Sequence, residues 1–136
     1  MIPLSIPNIC GKEAEYLQHC VDTNFVSSVG PFVDRFEQMV AVASGTARSV
    51  ATSSGTTALH AALTAVGVQA GDLVIIPTFT FIATANAVSH CGAVPWLFDI
   101  EPENWTLDAA LLAEVLEKET ETTRDGLRRR ACGRRV

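Results

Sequence analysis

Two short apolar runs, DLVIIP at 72–77 and AVPWLF at 93–98, constrain this chain more than any other feature. Neither alternates polar with apolar residues, so neither suits a sheet with one wet face, and both suit strands covered on two sides. The segments around them carry the other period. Ala14, Leu17 and Val21 fall at helical spacing over 12–22, and Phe32, Phe36, Met39, Val40 and Ala43 do so over 31–43. Pro31 fits a first helical turn, where its missing N–H would be unpaired in any case, and Gly45 fits a helix end. Further helices are expected over 57–66, 80–91 and 107–118, the last with Leu107, Leu111, Leu112, Val115 and Leu116 on its apolar side. RSVAT, at 48–52, is a third strand candidate. Strands interleaved with helices imply an α/β fold with a mostly parallel sheet between two helical layers.

At 136 residues the chain is one domain's worth at most. Hydrophobic residues make up 48% of it and the mean hydropathy is +0.24, so it is no disordered chain, yet no apolar run approaches the roughly 20 residues of a membrane-spanning helix. A soluble protein is the expectation. MIPLSIPNICGKEAEY lacks the basic start and long apolar stretch of a secretory signal, which makes the cytoplasm the expected location. Cysteines at 10, 20, 91 and 132 form no CxxC pair and no metal-ligand rhythm, so small buried hydrophobes or plain thiols are expected and no metal is assigned.

ATSSGTTALHAAL, at 51–63, would join a strand end to a helix start. Free N–H groups at a helix N-terminus favour an anion, Gly55 lets a ligand approach the backbone, and Thr56, Thr57 and Ser54 offer hydroxyls. Neither GxGxxG nor GxxxxGK[ST] is present. Standing alone, Ser53, Ser54, Gly55 and Thr56 read as ordinary turn and N-cap residues sooner than as an anion site. The next strand, however, runs into PTFTFIATANAV at 77–88, which places Phe79 and Phe81 at the same sheet edge. A ring there could lie against a planar ligand, or both phenylalanines could be core residues. His19, His60 and His90 form no HExxH, and Ser53 and Ser54 no GxSxG elbow, which leaves metalloprotease and serine-hydrolase chemistry without support.

SSGTTALHAAL, followed by GVQAGDLVIIPTFTFIATANAVSHCGAVPWLFDIEPENWTLD and preceded by FVSSVGPFVDRFEQMVA, resembles the N-terminal part of the DegT/StrS-type nucleotide-sugar aminotransferases. The resemblance covers residues 2–118, about the first third of a family member. It implies part of the three-layer α/β/α large domain of fold type I, with pyridoxal 5'-phosphate (PLP) as cofactor. It also implies an amino group passed, typically from glutamate, to a keto sugar nucleotide for surface-polysaccharide or glycan sugar biosynthesis, and a homodimer when intact. The opening IPLSIPNI is closest to enzymes aminating UDP-linked 4-keto sugars on legionaminic-type or bacillosamine routes. Position by position, the resemblance gives Gly55, Thr56 and Thr57 to the cofactor phosphate, Phe81 to stacking on the cofactor ring, and Gly30 to the sugar-nucleotide side. Asp99 matches a local structural position in the family.

Transamination requires a lysine that forms a Schiff base with the cofactor and an aspartate on its pyridine nitrogen. Lys12 and Lys118 are the only lysines, and neither matches the family's lysine motif, so no catalytic residue is assigned and the chain alone is expected to be inactive. Residues 1–123 hold 14 acidic side chains against four basic ones, whereas 124–136 hold six arginines against one aspartate. Without aromatic residues or helical period, GLRRRACGRRV is a poor nucleic-acid arm, and a truncated or frameshifted continuation of a longer gene is the expectation. The implied organisation is an N-terminal helical segment at 1–46, a partial PLP-binding α/β domain at 47–118, and a disordered tail at 119–136. Two alternatives stay open: a non-catalytic phosphate- or nucleotide-binding module, and an interaction fragment that pairs with an intact aminotransferase subunit.

Overall fold

The computed structural model describes residues 2–3 and 5–136. Met1 and Leu4, which belong to the N-terminal segment and the opening motif of the sequence reading, lie outside the described residues. The chain forms two compact units, the first ending at Ala51 and the second running from Thr52 to Val136.

The first unit holds helices α1 (Glu13–Asp22) and α2 (Pro31–Ser44). Acidic Glu13 and Glu15 sit in the first turn of α1, where the helix dipole favours them. Pro31 opens α2 and Gly45 closes it in the left-handed conformation at φ 68°. Tyr16 of α1 and Phe32 of α2 pack with ring centroids 4.7 Å apart. RSVAT is not a strand. Ser49 Oγ donates to the Glu37 carbonyl at 2.6 Å and the Ala51 N–H donates to the Glu37 carboxylate at 2.8 Å, so α2 takes polar groups that a sheet neighbour would otherwise pair.

The second unit begins with α3 (Gly55–Ala65), then β1 (Leu73–Pro77), α4 (Ile82–His90), β2 (Val94–Phe98) and α5 (Ala109–Glu119). β1 and β2 pair in parallel, with Leu73 opposite Val94 and Pro77 opposite Phe98. Alternate side chains of the pair feed two cores. Leu73, Trp96 and Phe98 pack with Leu111, Leu112, Val115 and Leu116 of α5. Ile76 and Ala93 pack with Val88 of α4 and Leu63 of α3. The α5 side thus covers Leu73, Trp96 and Phe98 and the α3–α4 side covers Ile76 and Ala93, giving helix, sheet and helix layers of a partial α/β fold, while Leu97 of β2 stays more than half exposed. Among the described residues, no helix is long and apolar enough to cross a membrane.

The arginine-rich segment departs from the expected disorder. It forms an antiparallel hairpin of β3 (Thr120–Thr123) and β4 (Gly126–Arg129), with Thr120 opposite Arg129. Its arginines meet acidic groups of the preceding body: Arg129 binds Glu119 at 2.7 Å, Arg130 meets Glu121 at 3.5 Å, and Arg135 grips Asp72. The Arg129 guanidinium also lies 4.5 Å from the ring centroid of Trp96. All four cysteines are free thiols, Cys10 and Cys132 exposed, Cys20 and Cys91 half-buried, so none is the fully buried hydrophobe that was one expectation.

Candidate functional site

The start of α3 is built by a reciprocal cap. Ser54 is extended at φ −165° and its hydroxyl accepts from the Thr57 N–H, while Thr57 Oγ1 accepts from the Ser54 N–H at 3.1 Å. Thr57 Oγ1 also lies 2.8 Å from the Ser54 carbonyl, to which it can donate. The Thr57 hydroxyl and N–H are thus engaged within the cap. The N–H groups of Gly55 and Thr56 and the Thr56 hydroxyl have no partner among the described residues. These donors sit where partial positive charge accumulates at a helix start. A Cβ built on Gly55 meets nothing within 4 Å, and the residue needs no left-handed backbone, so the opening over this turn is space left by the fold. A phosphate-bearing group fits that donor set.

The start of α4 carries the aromatic residue that the resemblance implies for ring stacking. Phe81 is its N-cap residue, with φ −67° and ψ 143°, and is 81% exposed, which excludes a core role in this unit. Helices α3 and α4 pack together through Leu63, Ala85 and Val88, and His60 and His90 approach to 5.6 Å between ring centroids. Phe79, also exposed, meets the Trp105 ring edge-to-face at 5.1 Å and 78°. Trp105 has φ 61°, unusual for a bulky residue. It is held in a tight turn where its N–H donates to the Glu101 carbonyl at 3.0 Å and the Glu101 N–H donates to the Thr106 carbonyl at 2.8 Å. The sequence reading missed Trp105; the available signal was the turn-forming EPEN just before it.

Asp99 ties the carboxyl ends of the two strands together by accepting from Thr78 Oγ1 at 3.1 Å. Gly30 belongs to the first unit. It is the N-cap of α2 at φ +148°, and a Cβ there would stand 3.1 Å from two side-chain atoms of Phe25, so local geometry already requires glycine. Lys12 precedes α1, and Lys118 pairs with Glu114 one turn earlier at 2.5 Å. Neither lysine stands at the start of α3 or α4.

This arrangement can be set beside known proteins. The profile of the DegT/DnrJ/EryC1/StrS aminotransferase family matches residues 7–123. The chain belongs to this family. A relative named GDP-perosamine synthase, from Caulobacter vibrioides, is 44% identical over 119 residues, or 88% of this chain and 32% of that protein. The aminotransferase of Psychrobacter cryohalolentis has a similar structure, with TM-score 0.74 and 31% identity, over 84% of this chain and 29% of that one. NtdA of Bacillus subtilis, solved with bound cofactor PMP, gives TM-score 0.69 and 34% identity, over 78% of this chain and 25% of its own. The chain spans about a third of the length of the curated relatives it matches. The DegT/StrS resemblance and the partial α/β fold expected from sequence are both upheld.

Proposed function

We propose that this chain provides the phosphate-holding part of the PLP site in an aminotransferase that delivers an amino group, typically from glutamate, to a keto sugar nucleotide. The observation that carries this reading is the set of unpaired donors on Gly55 and Thr56 at the start of α3, in a chain whose family members include a neighbour solved with PMP. PLP, when bound, supplies an electron-withdrawing ring that lets an amino group move between carbon centres. Gly55 and Thr56 hold its phosphate, Thr57 keeps their turn in shape through the Ser54 cap, and the exposed Phe81 stacks on its ring. Gly30 is assigned to the sugar-nucleotide side on resemblance alone. Because neither Lys12 nor Lys118 matches the family's lysine motif, the chain by itself binds cofactor without transamination, and the working enzyme is a homodimer. The relatives named for a GDP-linked amino sugar make a GDP-linked keto sugar the first substrate to test and a UDP-linked 4-keto sugar the second.

The test compares PLP with pyridoxal, which lacks the phosphate, by titration calorimetry on the full 136-residue chain. Tighter binding of PLP, weakened about tenfold or more by Gly55→Val, is expected from the loss of close approach to the backbone donors. Equal affinity for the two ligands would remove the phosphate cradle from the reading. A borohydride-stable adduct on Lys12 or Lys118 would overturn the inactivity of the isolated chain.

A further inference from the structure

The outer edge of β1 is where the structure says more than the family likeness does. The Asp72 carbonyl accepts from the Val94 N–H at 2.8 Å and the Thr78 N–H donates to the Phe98 carbonyl at 2.8 Å, so the backbone groups at even positions of this strand face β2. Alternation turns those of Leu73 and Ile75 to the opposite side, an open edge of the kind that recruits another strand. That edge is met by the last residues of the chain. The Leu73 N–H donates to the Arg135 carbonyl at 2.7 Å. Arg135 Nε lies 3.0 and 3.1 Å from the two carboxylate oxygens of Asp72, and Nη2 reaches both that carboxylate and the Gly67 carbonyl, the latter at 2.7 Å. Val136 packs against the core of Leu73, Trp96 and Phe98. The hairpin holds the segment from the other side, with the Arg129 N–H on the Arg134 carbonyl at 2.9 Å and the Val136 N–H on the Leu127 carbonyl at 2.9 Å.

We propose that residues 126–136 are an arginine-latched strap that closes the Leu73 end of the outer edge of β1 within the same chain and keeps that end from pairing with a second copy. The latch is the fork of Arg135 on Asp72, which adds a charged grip to the packing of Val136 against the core that holds Leu73. Its pieces are separated by 63 positions in sequence, and the strap lies beyond the residues that match the family, so it is a property of this chain. Chemically it resembles edge protection by charge and by cover, with the arginine serving as both.

Hydrogen exchange at the Leu73 amide, followed by mass spectrometry on the full chain at several concentrations, tests the strap directly. Protection that does not vary with concentration is expected for the wild-type chain. Arg135→Ala should speed exchange about tenfold in dilute protein, the loss of roughly one charge-assisted hydrogen-bonded latch, and at high concentration the exposed edge should regain protection as copies pair. The exchanged pair Asp72→Arg with Arg135→Asp should restore the dilute value, and Arg134→Ala, which leaves the fork intact, should not alter it. Unchanged Leu73 exchange in Arg135→Ala overturns the latch. Wild-type protection that rises with concentration overturns closure within one chain, and an equal effect from Arg134→Ala reduces the fork to general charge.

Discussion

In the first unit, α1 and α2 contain no buried residue, and Leu17, Val21, Phe36, Met39 and Val42 are each more than half exposed. In the second, Leu73, Ile76, Val88, Trp96 and Phe98 are each less than a tenth exposed. Both units have helices of clear apolar period, so periodicity is not what separates them. The second has a parallel strand pair that offers each helix a flat surface, while an apolar stripe without such a surface remains open to solvent. Amphipathic pattern sets where a helix forms; a partner surface sets whether its stripe is buried.

The sharpest way to break this contrast is to truncate the centre of the second unit. Trp96→Ala removes an indole packed among Leu73, Phe98 and the Arg129 guanidinium and should lower the stability of that unit by about 3–5 kcal/mol in urea unfolding. A loss below about 1 kcal/mol would mean that the two units differ in exposure and not in cohesion. Ser54→Ala should cost about 1 kcal/mol by opening the cap of α3, seen as faster amide exchange at Ala58, whose N–H closes the first turn on the Ser54 carbonyl.

Acid should act on the second unit through Asp72. The hydrogen bonds from Arg135 lower its carboxyl below the ordinary value of 3.8, against desolvation that raises it, with the Gln69 N–H and the charge of Arg128 helping to lower it. A folded value below the unfolded one gives stability that is full above the unfolded pKa and disappears as pH falls through the folded one. The unfolding midpoint should therefore decline in that acidic window, by about 1 kcal/mol or less for a half-buried pair whose arginine still meets water, and Asp72→Asn should flatten the decline. Smallest of all, Phe36→Ser in the first unit should change stability by no more than about 0.5 kcal/mol, because its ring is already in solvent.

Legibility in the sequence followed the range of the interaction. Pro31, Gly45 and the apolar spacing marked α2 to within a residue, and the unbroken runs marked β1 and β2, because those signals are local. RSVAT carried strand-forming residues, but a strand exists only with a neighbour, and Glu37 satisfied the Ser49 hydroxyl and Ala51 N–H instead. The arginine tail looked like unpaired charge because its partners, Asp72, Glu119 and Glu121, are recognisable only after folding. At the candidate site the anion-friendly helix start was legible from SSGTT. The division of labour within it was not, since Thr57 does not carry the glutamate or glutamine usual at that cap position and its hydroxyl turned out to serve Ser54.

The chain's two tryptophans fall on opposite sides of this map, Trp96 at 9% exposure in the core and Trp105 at 60% beside Phe79. Their light should differ accordingly, blue-shifted and sheltered from acrylamide for the first, red-shifted and readily quenched for the second. A single emission spectrum therefore contains two reporters, one that shifts when the core melts and one that dims when something settles at the edge of the sheet.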